Sequence, residues 1–281
     1  MYKKITQTIP APLKTHLIKL NNYRQIVQLI IKGYFSNITS DPIIILGNQK
    51  SGTSVIAALL GHATGLSVTI DLKREYLSNG NIYKKVFHGE LPFSIIIDRN
   101  RADFSRDIIK EPNLTIFYPD LKKTFKTAKF IFIIRQPHQN IRSILNRFGL
   151  PGNLDHLEPH HLRLIKKSWD IVFNGEWIGL RGRNHIEMLA LRWNYLVNIY
   201  LKNKDSFILM RYEDFLQDKI KSIYDLANKL NIQVVNDISD KINIQYQKKG
   251  RSDIDLIDFF GQYNVNLITE ICRRQMDLLG Y

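Results

Sequence analysis

Cysteine is nearly missing from this chain of 281 residues: Cys272 stands alone. A single thiol can form no internal disulfide and no cysteine-built zinc site, so a disulfide-stapled secreted scaffold and a zinc finger are both excluded. Its spacing with Ile268, Ile271 and Leu279 favours a core position on a helix. Long hydrophobic runs are missing too. Runs such as 43–46 (IIIL), 55–60 (VIAALL) and 130–134 (FIFII) fall far short of the ~20 residues that span a bilayer. The opening MYKKITQTIPAP carries no apolar core of a signal peptide, so a cytoplasmic location is expected. With 15 Gly and 9 Pro there is too little of either for a collagen-like or low-complexity chain, and 44% hydrophobic with 23% charged residues is globular composition. No repeat of 20 to 50 residues and no biased linker divides the chain, which reads as one domain over 1–281.

Acidic residues are scarce and unevenly placed. Lys and Arg number 40 against 26 Asp and Glu, a formal charge of +14, which favours an anionic partner: nucleic acid, an acidic membrane surface or a phosphorylated small molecule. The first forty residues hold no Asp or Glu but contain Lys3, Lys4, Lys14, Lys19, Arg24 and Lys32, with Leu13, Leu17, Leu20 and Ile31 at roughly helical spacing. Residues 1–40 therefore read as a helical lead. Peripheral contact with a membrane or a partner is one reading of it, and a packed helix with a solvated basic side is the other.

Short apolar runs alternate with helical patterns. Strands are predicted at 41–47, 129–134 and 207–210, each followed by a helix: at 54–63, through Ile141, Ile144, Leu145 and Phe148 on one face to an end at Gly149, and around 222–230; a terminal helix covers 267–279. This alternation implies an α/β fold with a central, mostly parallel sheet flanked by helices, whose ligands sit beyond the carboxyl ends of the strands. About 151–200 is rich in His, Arg, Lys and Trp without a clear strand, and reads as a helical cap or substrate region. His160 and His161 have no metal-ligand spacing, and Trp169, Trp177 and Trp193 read as core or pocket aromatics.

The segment Gly47-Asn48-Gln49-Lys50-Ser51-Gly52-Thr53-Ser54 joins a predicted strand to a helix, the setting in which backbone amides cradle an anion. It nearly matches G-x-x-x-x-G-K-[ST], but Thr53 fills the lysine slot, which disfavours nucleoside triphosphate chemistry. Lys50 instead stands at the loop's crest, where its charge could stabilise a leaving phosphate. QKSGTS at 49–54 resembles the 5′-phosphosulfate loop of sulfotransferases that use 3′-phosphoadenosine 5′-phosphosulfate (PAPS). IIRQPHQNIRS at 133–143 resembles the family's 3′-phosphate motif, MRYEDFL at 210–216 its later R-Y-E-D-L segment, and MDLLGY its C-terminal helix.

The resemblance implies the P-loop-like sulfotransferase fold and transfer of a sulfuryl group from PAPS, without a metal, to a hydroxyl or amine. It implies Lys50, Ser51, Gly52, Thr53 and Ser54 at the 5′-phosphate, and Arg135, Ser143 and Tyr212 at the 3′-phosphate or adenine. Lys249, Gly250 and Arg251 resemble a shortened basic segment that closes over the 3′-phosphate. Spacing adds Arg147, one helical turn past Ser143. Lys110 resembles the lysine that family members place near the sulfate, but Pro112 stands where the cytosolic members carry a histidine base, so an acid must substitute. Asp71 is favoured as base, with Glu75, Glu111 and His62 as alternatives. Asp71 also suits an N-cap. A phosphotransferase and a non-catalytic basic module binding nucleic acid or membrane remain the other readings. Carbohydrate, peptide, lipid and small natural-product acceptors all stay open.

Overall fold

The computed structural model describes residues 11–78, 81–244 and 255–281. In chain order its principal elements are helix α1 (Ala11–Tyr34), strand β1 (Ile43–Gly47), α2 (Thr53–Thr64), β2 (Val68–Ile70), the short α3 (Lys73–Leu77), β3 (Ile108–Lys110), β4 (Lys129–Ile134), α4 (Pro137–Phe148), α5 (His185–Lys202), β5 (Phe207–Arg211), α6 (Lys219–Lys229) and α7 (Leu256–Leu279). The strands form one sheet in the order β2-β3-β1-β4-β5, and every pairing is parallel, with Ile44 opposite both Ile109 and Phe130. Parallel strands need a covered face on each side, which is why β1 and β4 are apolar at successive positions rather than alternately.

Alternation along the strands divides the core in two. Ile43 and Ile45 of β1 with Ile131 and Ile133 of β4 face one side, where they meet Ile56, Leu59 and Leu60 of α2 and Ile223 and Leu226 of α6. Ile44, Leu46, Phe130, Phe132 and Ile134 face the other, against Ile141 and Ile144 of α4, Leu189, Trp193 and Leu196 of α5, and Ile268 and Cys272 of α7. Cys272 is thus a core residue. The stretch read as a cap divides as well. Short helical turns occupy 159–178, whereas α5 is a core helix whose positions 186, 189, 190, 193, 196, 197 and 200 are buried. The terminal helix begins earlier than predicted, at Leu256, and is kinked at Gly261.

Candidate active site

All five parallel strands end on the same side, and each delivers one of the residues singled out from the sequence. Lys110 ends β3, Asp71 follows β2, Lys50 lies in the loop after β1, Arg135 follows β4 and Tyr212 follows β5. The strand order therefore lines them up as Asp71, Lys110, Lys50, Arg135, Tyr212 along the carboxyl edge, with neighbouring strands about 4.8 Å apart. All five line one cavity of about 570 Å³. The chain leaves β1 toward one edge of the sheet and later crosses to β4 on the other side, so the cavity sits at the switch point expected of a doubly wound sheet.

The loop after β1 is held from below by side chains. The Gly47 amide donates to Thr115 Oγ1 at 2.9 Å, and that hydroxyl donates back to the Gly47 carbonyl. Asn140 Nδ2, from α4, donates to the Gln49 carbonyl and to Ser51 Oγ, while Asn48 Nδ2 donates to Asn140 Oδ1. Gly47 has no room for a side chain, since a Cβ would lie 2.3 Å from the Ile133 carbonyl oxygen. Helix α2 begins at Gly52 with no side-chain cap, which leaves its first amides for an anion. Thr53, Ser54 and Gly52 line the cavity. Ser51 is buried beneath the loop and holds it to α4.

Lys50 adopts a left-handed backbone, φ 66°, uncommon for a residue other than glycine. Its ammonium is pulled down to about 8, first by burial and then by the charges of Arg147, Arg135 and Lys110. A concentration of cations this strong is a site waiting for negative charge. Arg135 donates to the Lys50 carbonyl at 3.1 Å and lies 4.8 Å above the centre of the Tyr212 ring. Burial works against its charge. Ser143 and Arg147 line the same wall; Arg147 stacks on Trp169, and its buried Nε has no hydrogen-bond partner among the described residues.

At the other end, the Asp71 amide donates to the Lys110 carbonyl at 2.8 Å, extending the ladder by one residue, and the chain then turns at φ 61°. This turn brings the half-exposed Asp71 carboxylate onto the almost fully buried Lys110 ammonium. The alternative acids are engaged elsewhere. Glu75 accepts from Arg99 Nε at 2.9 Å and from Asn100 Nδ2 at 3.1 Å. Both oxygens of Glu111 accept backbone amides, from Leu72 and Asn113; burial and the nearby Asp71 charge push its carboxyl up to about 7. His62 is exposed and is absent from the cavity lining. Lys249, Gly250 and Arg251 lie outside the described residues.

Several lining residues were not legible in the sequence. Gln49 donates to Asn113 at 2.6 Å and accepts from the fully buried Arg192 of α5 at 3.3 Å. Burial lowers Arg192 to about 10. Arg142 and Asn146 join from α4, Tyr83 from beneath with a hydroxyl that has no partner among the described residues, and Phe215, Leu216, Ile242 and Ile244 form an apolar wall beside Tyr212. Gln49, Arg142, Phe215 and Leu216 fall inside the segments 49–54, 133–143 and 210–216 without a role of their own, and Asn146 lies one helical turn past Arg142.

A family model described as a sulfotransferase domain matches residues 40–255. Among solved structures, sulfotransferase STF9 from Mycobacterium avium is 14% identical, with 91% of this chain and 80% of that one covered at a TM-score of 0.51. Sulfotransferase STF1 from Mycobacterium tuberculosis is 12% identical, with 91% and 81% covered at 0.48. Mouse sulfotransferase SULT7A1, solved in complex with PAP, is 16% identical, with 89% of each chain covered at 0.47. No curated protein matches the sequence.

Proposed function

The chain belongs to the sulfotransferase domain family, and from that premise we propose that it moves a sulfuryl group from PAPS to a hydroxyl or amine of its acceptor by in-line displacement. The observation that carries this reading is the row of side chains along the sheet edge, Asp71, Lys110, Lys50, Arg135, Tyr212, on one cavity. It supplies in sequence a proton acceptor, a cation for sulfuryl oxygens, a cation for a leaving phosphate and a holder for a second phosphate. Sulfuryl transfer asks for little more than such placement and charge.

The cavity suits the donor. Six cations, Lys50, Lys110, Arg135, Arg142, Arg147 and Lys219, line it, and a buried guanidinium nitrogen of Arg147 is unpaired among the described residues, so an anion with several oxygens would satisfy what the protein leaves open. Bound there, PAPS brings an activated sulfuryl group on a phosphate that departs with adenosine 3′,5′-bisphosphate. Arg135, Ser143 and Arg147 hold the 3′-phosphate with charge-assisted bonds, and Tyr212 with the apolar wall takes the adenosine. Thr53, Ser54 and the first amides of α2 hold the 5′-phosphate. Lys50 offsets the charge that grows on the bridging oxygen, Lys110 faces the sulfuryl oxygens, and Asp71 accepts the acceptor's proton. Asp71 is preferred to Glu75 and Glu111 because its carboxylate, though paired with Lys110, is half-exposed, whereas both of those are buried and engaged by donors from the fold.

Calorimetry with adenosine 3′,5′-bisphosphate against ATP plus magnesium tests the reading. Tight bisphosphate binding indifferent to magnesium is the expected result. Preference for Mg-ATP would overturn it in favour of a phosphotransferase, and no nucleotide binding with salt-sensitive DNA binding in favour of a basic binding module.

A further inference from the structure

Helix α1 has two apolar sides, and only one of them is covered. Gly33 is buried against Arg101 and Ala102, and α1 packs on the short helix Arg101–Phe104 and on α3. Asn22, Gln25, Ile26 and Leu29, half-buried, share the Gly33 side. At roughly 100° per residue the opposite side is Leu17, Leu20, Tyr23, Ile30, Ile31 and Tyr34. These are between 45% and 83% exposed, and Phe35 just beyond is 81% exposed. Scattered exposed apolar residues need no explanation, but six of them on one side of one helix over five turns, with the half-buried Val27 among them, do.

What covers the stripe is indicated by charge. Residues 1–40 contain no acid and six Lys or Arg. Among the described residues Lys32 falls on one flank of the stripe and Arg24 is exposed within it. An apolar stripe bordered by cations and ending in aromatic residues is the pattern of a helix lying in the plane of an anionic lipid surface, its apolar side among the acyl chains and its ammonium groups at the headgroups. Among the described residues no helix is long and apolar enough to cross a membrane, and this geometry does not need one. We propose that the outer side of α1 docks the protein on an anionic lipid bilayer. Because α1 packs on α3, which carries the cavity-lining Glu75 and Tyr76, docking places the Asp71 end of the cavity near that surface.

Flotation of the full chain with vesicles of phosphatidylcholine alone, and with about a third phosphatidylserine, tests this. The expected result is binding at least about tenfold stronger to the anionic vesicles and weakened by salt. It should be lost in Ile31→Asp/Tyr34→Asp and reduced about tenfold in Arg24→Glu/Lys32→Glu, with thermal unfolding unchanged in both. Absence of vesicle binding, or binding that survives both double substitutions, overturns the proposal. A dimer in light scattering that Ile31→Asp/Tyr34→Asp dissolves, without vesicle binding, overturns it in favour of a second copy on the same stripe.

Discussion

Gly52 lies directly beneath the ring of Tyr212: a Cβ on Gly52 would come within 2.1 Å of the ring's Cδ2. The glycine is also at φ 91°, so alanine there is strained by both the backbone and the contact. Gly52→Ala should lower stability by about 2–4 kcal/mol and push the ring away from Arg135. Denaturant unfolding measures the first effect and bisphosphate affinity the second. Tyr212→Ala, which removes the obstacle, should recover part of the stability lost in Gly52→Ala, a non-additivity expected only if the two positions meet as described.

Arg135 connects three parts of the site: it donates to the Lys50 carbonyl, covers Tyr212 and has its own carbonyl bonded by Trp193 Nε1 at 2.9 Å. Charge-assisted bonds contribute roughly 1.5–3 kcal/mol each, so Arg135→Ala should weaken adenosine 3′,5′-bisphosphate binding by about 10- to 150-fold. Arg135→Lys keeps the charge but not the planar pair of donors and should restore only a minor part. Unchanged affinity in Arg135→Ala would remove this residue from the nucleotide site.

The sequence discloses what is local and hides what is assembled. β1 and β4 are legible because both of their faces are buried, which produces unbroken apolar runs; β2 and β3, three residues each, are too short to show any period. Lys50, Thr53 and Arg135 are recognisable because loop and strand ends fix them at set spacings. Gln49 meets Arg192 across 143 positions of chain, and no local pattern reports that pairing. The abundance of His, Arg, Lys and Trp makes α5 read as part of a cap, but one of those residues, Arg192, is buried whole and bonded to the Ile171 carbonyl and Gln49.

Asp71 and Lys110 form a lopsided pair, the acid 44% exposed and the lysine 3%. Asp71→Asn should cut turnover by about 10² or more if the carboxylate takes the acceptor's proton, while bisphosphate affinity, set at the far end of the cavity, stays within about threefold. It also leaves the buried ammonium without its counter-charge, so a loss of about 1–3 kcal/mol in stability accompanies it. Glu75→Gln breaks the bond network with Arg99 and Asn100 instead, and should lower stability with kcat nearly intact. A reversed pattern, turnover lost in Glu75→Gln and kept in Asp71→Asn, transfers the base to Glu75.

Lys50 sets function against stability, and pH separates the two. Its ammonium titrates near 8 in the fold against 10.5 in the unfolded chain, so between these values the unfolded state holds the proton that the folded state has released. Stability from this group therefore rises as pH climbs from about 8 to about 10.5. Catalysis needs the opposite state, since only the charged amine can offset the leaving oxygen's charge, and kcat/KM should fall above about pH 8. Lys50→Arg stays charged throughout and should move that alkaline fall upward while keeping measurable turnover. Lys50→Gly removes both the crowded cation and the left-handed strain at φ 66°; it should gain about 1 kcal/mol in stability and lose turnover by roughly 10²–10³. An alkaline limb that stays in place in Lys50→Arg, or a Lys50→Gly protein less stable than the parent, would show that the charge at this crest is not what the loop is strained to hold.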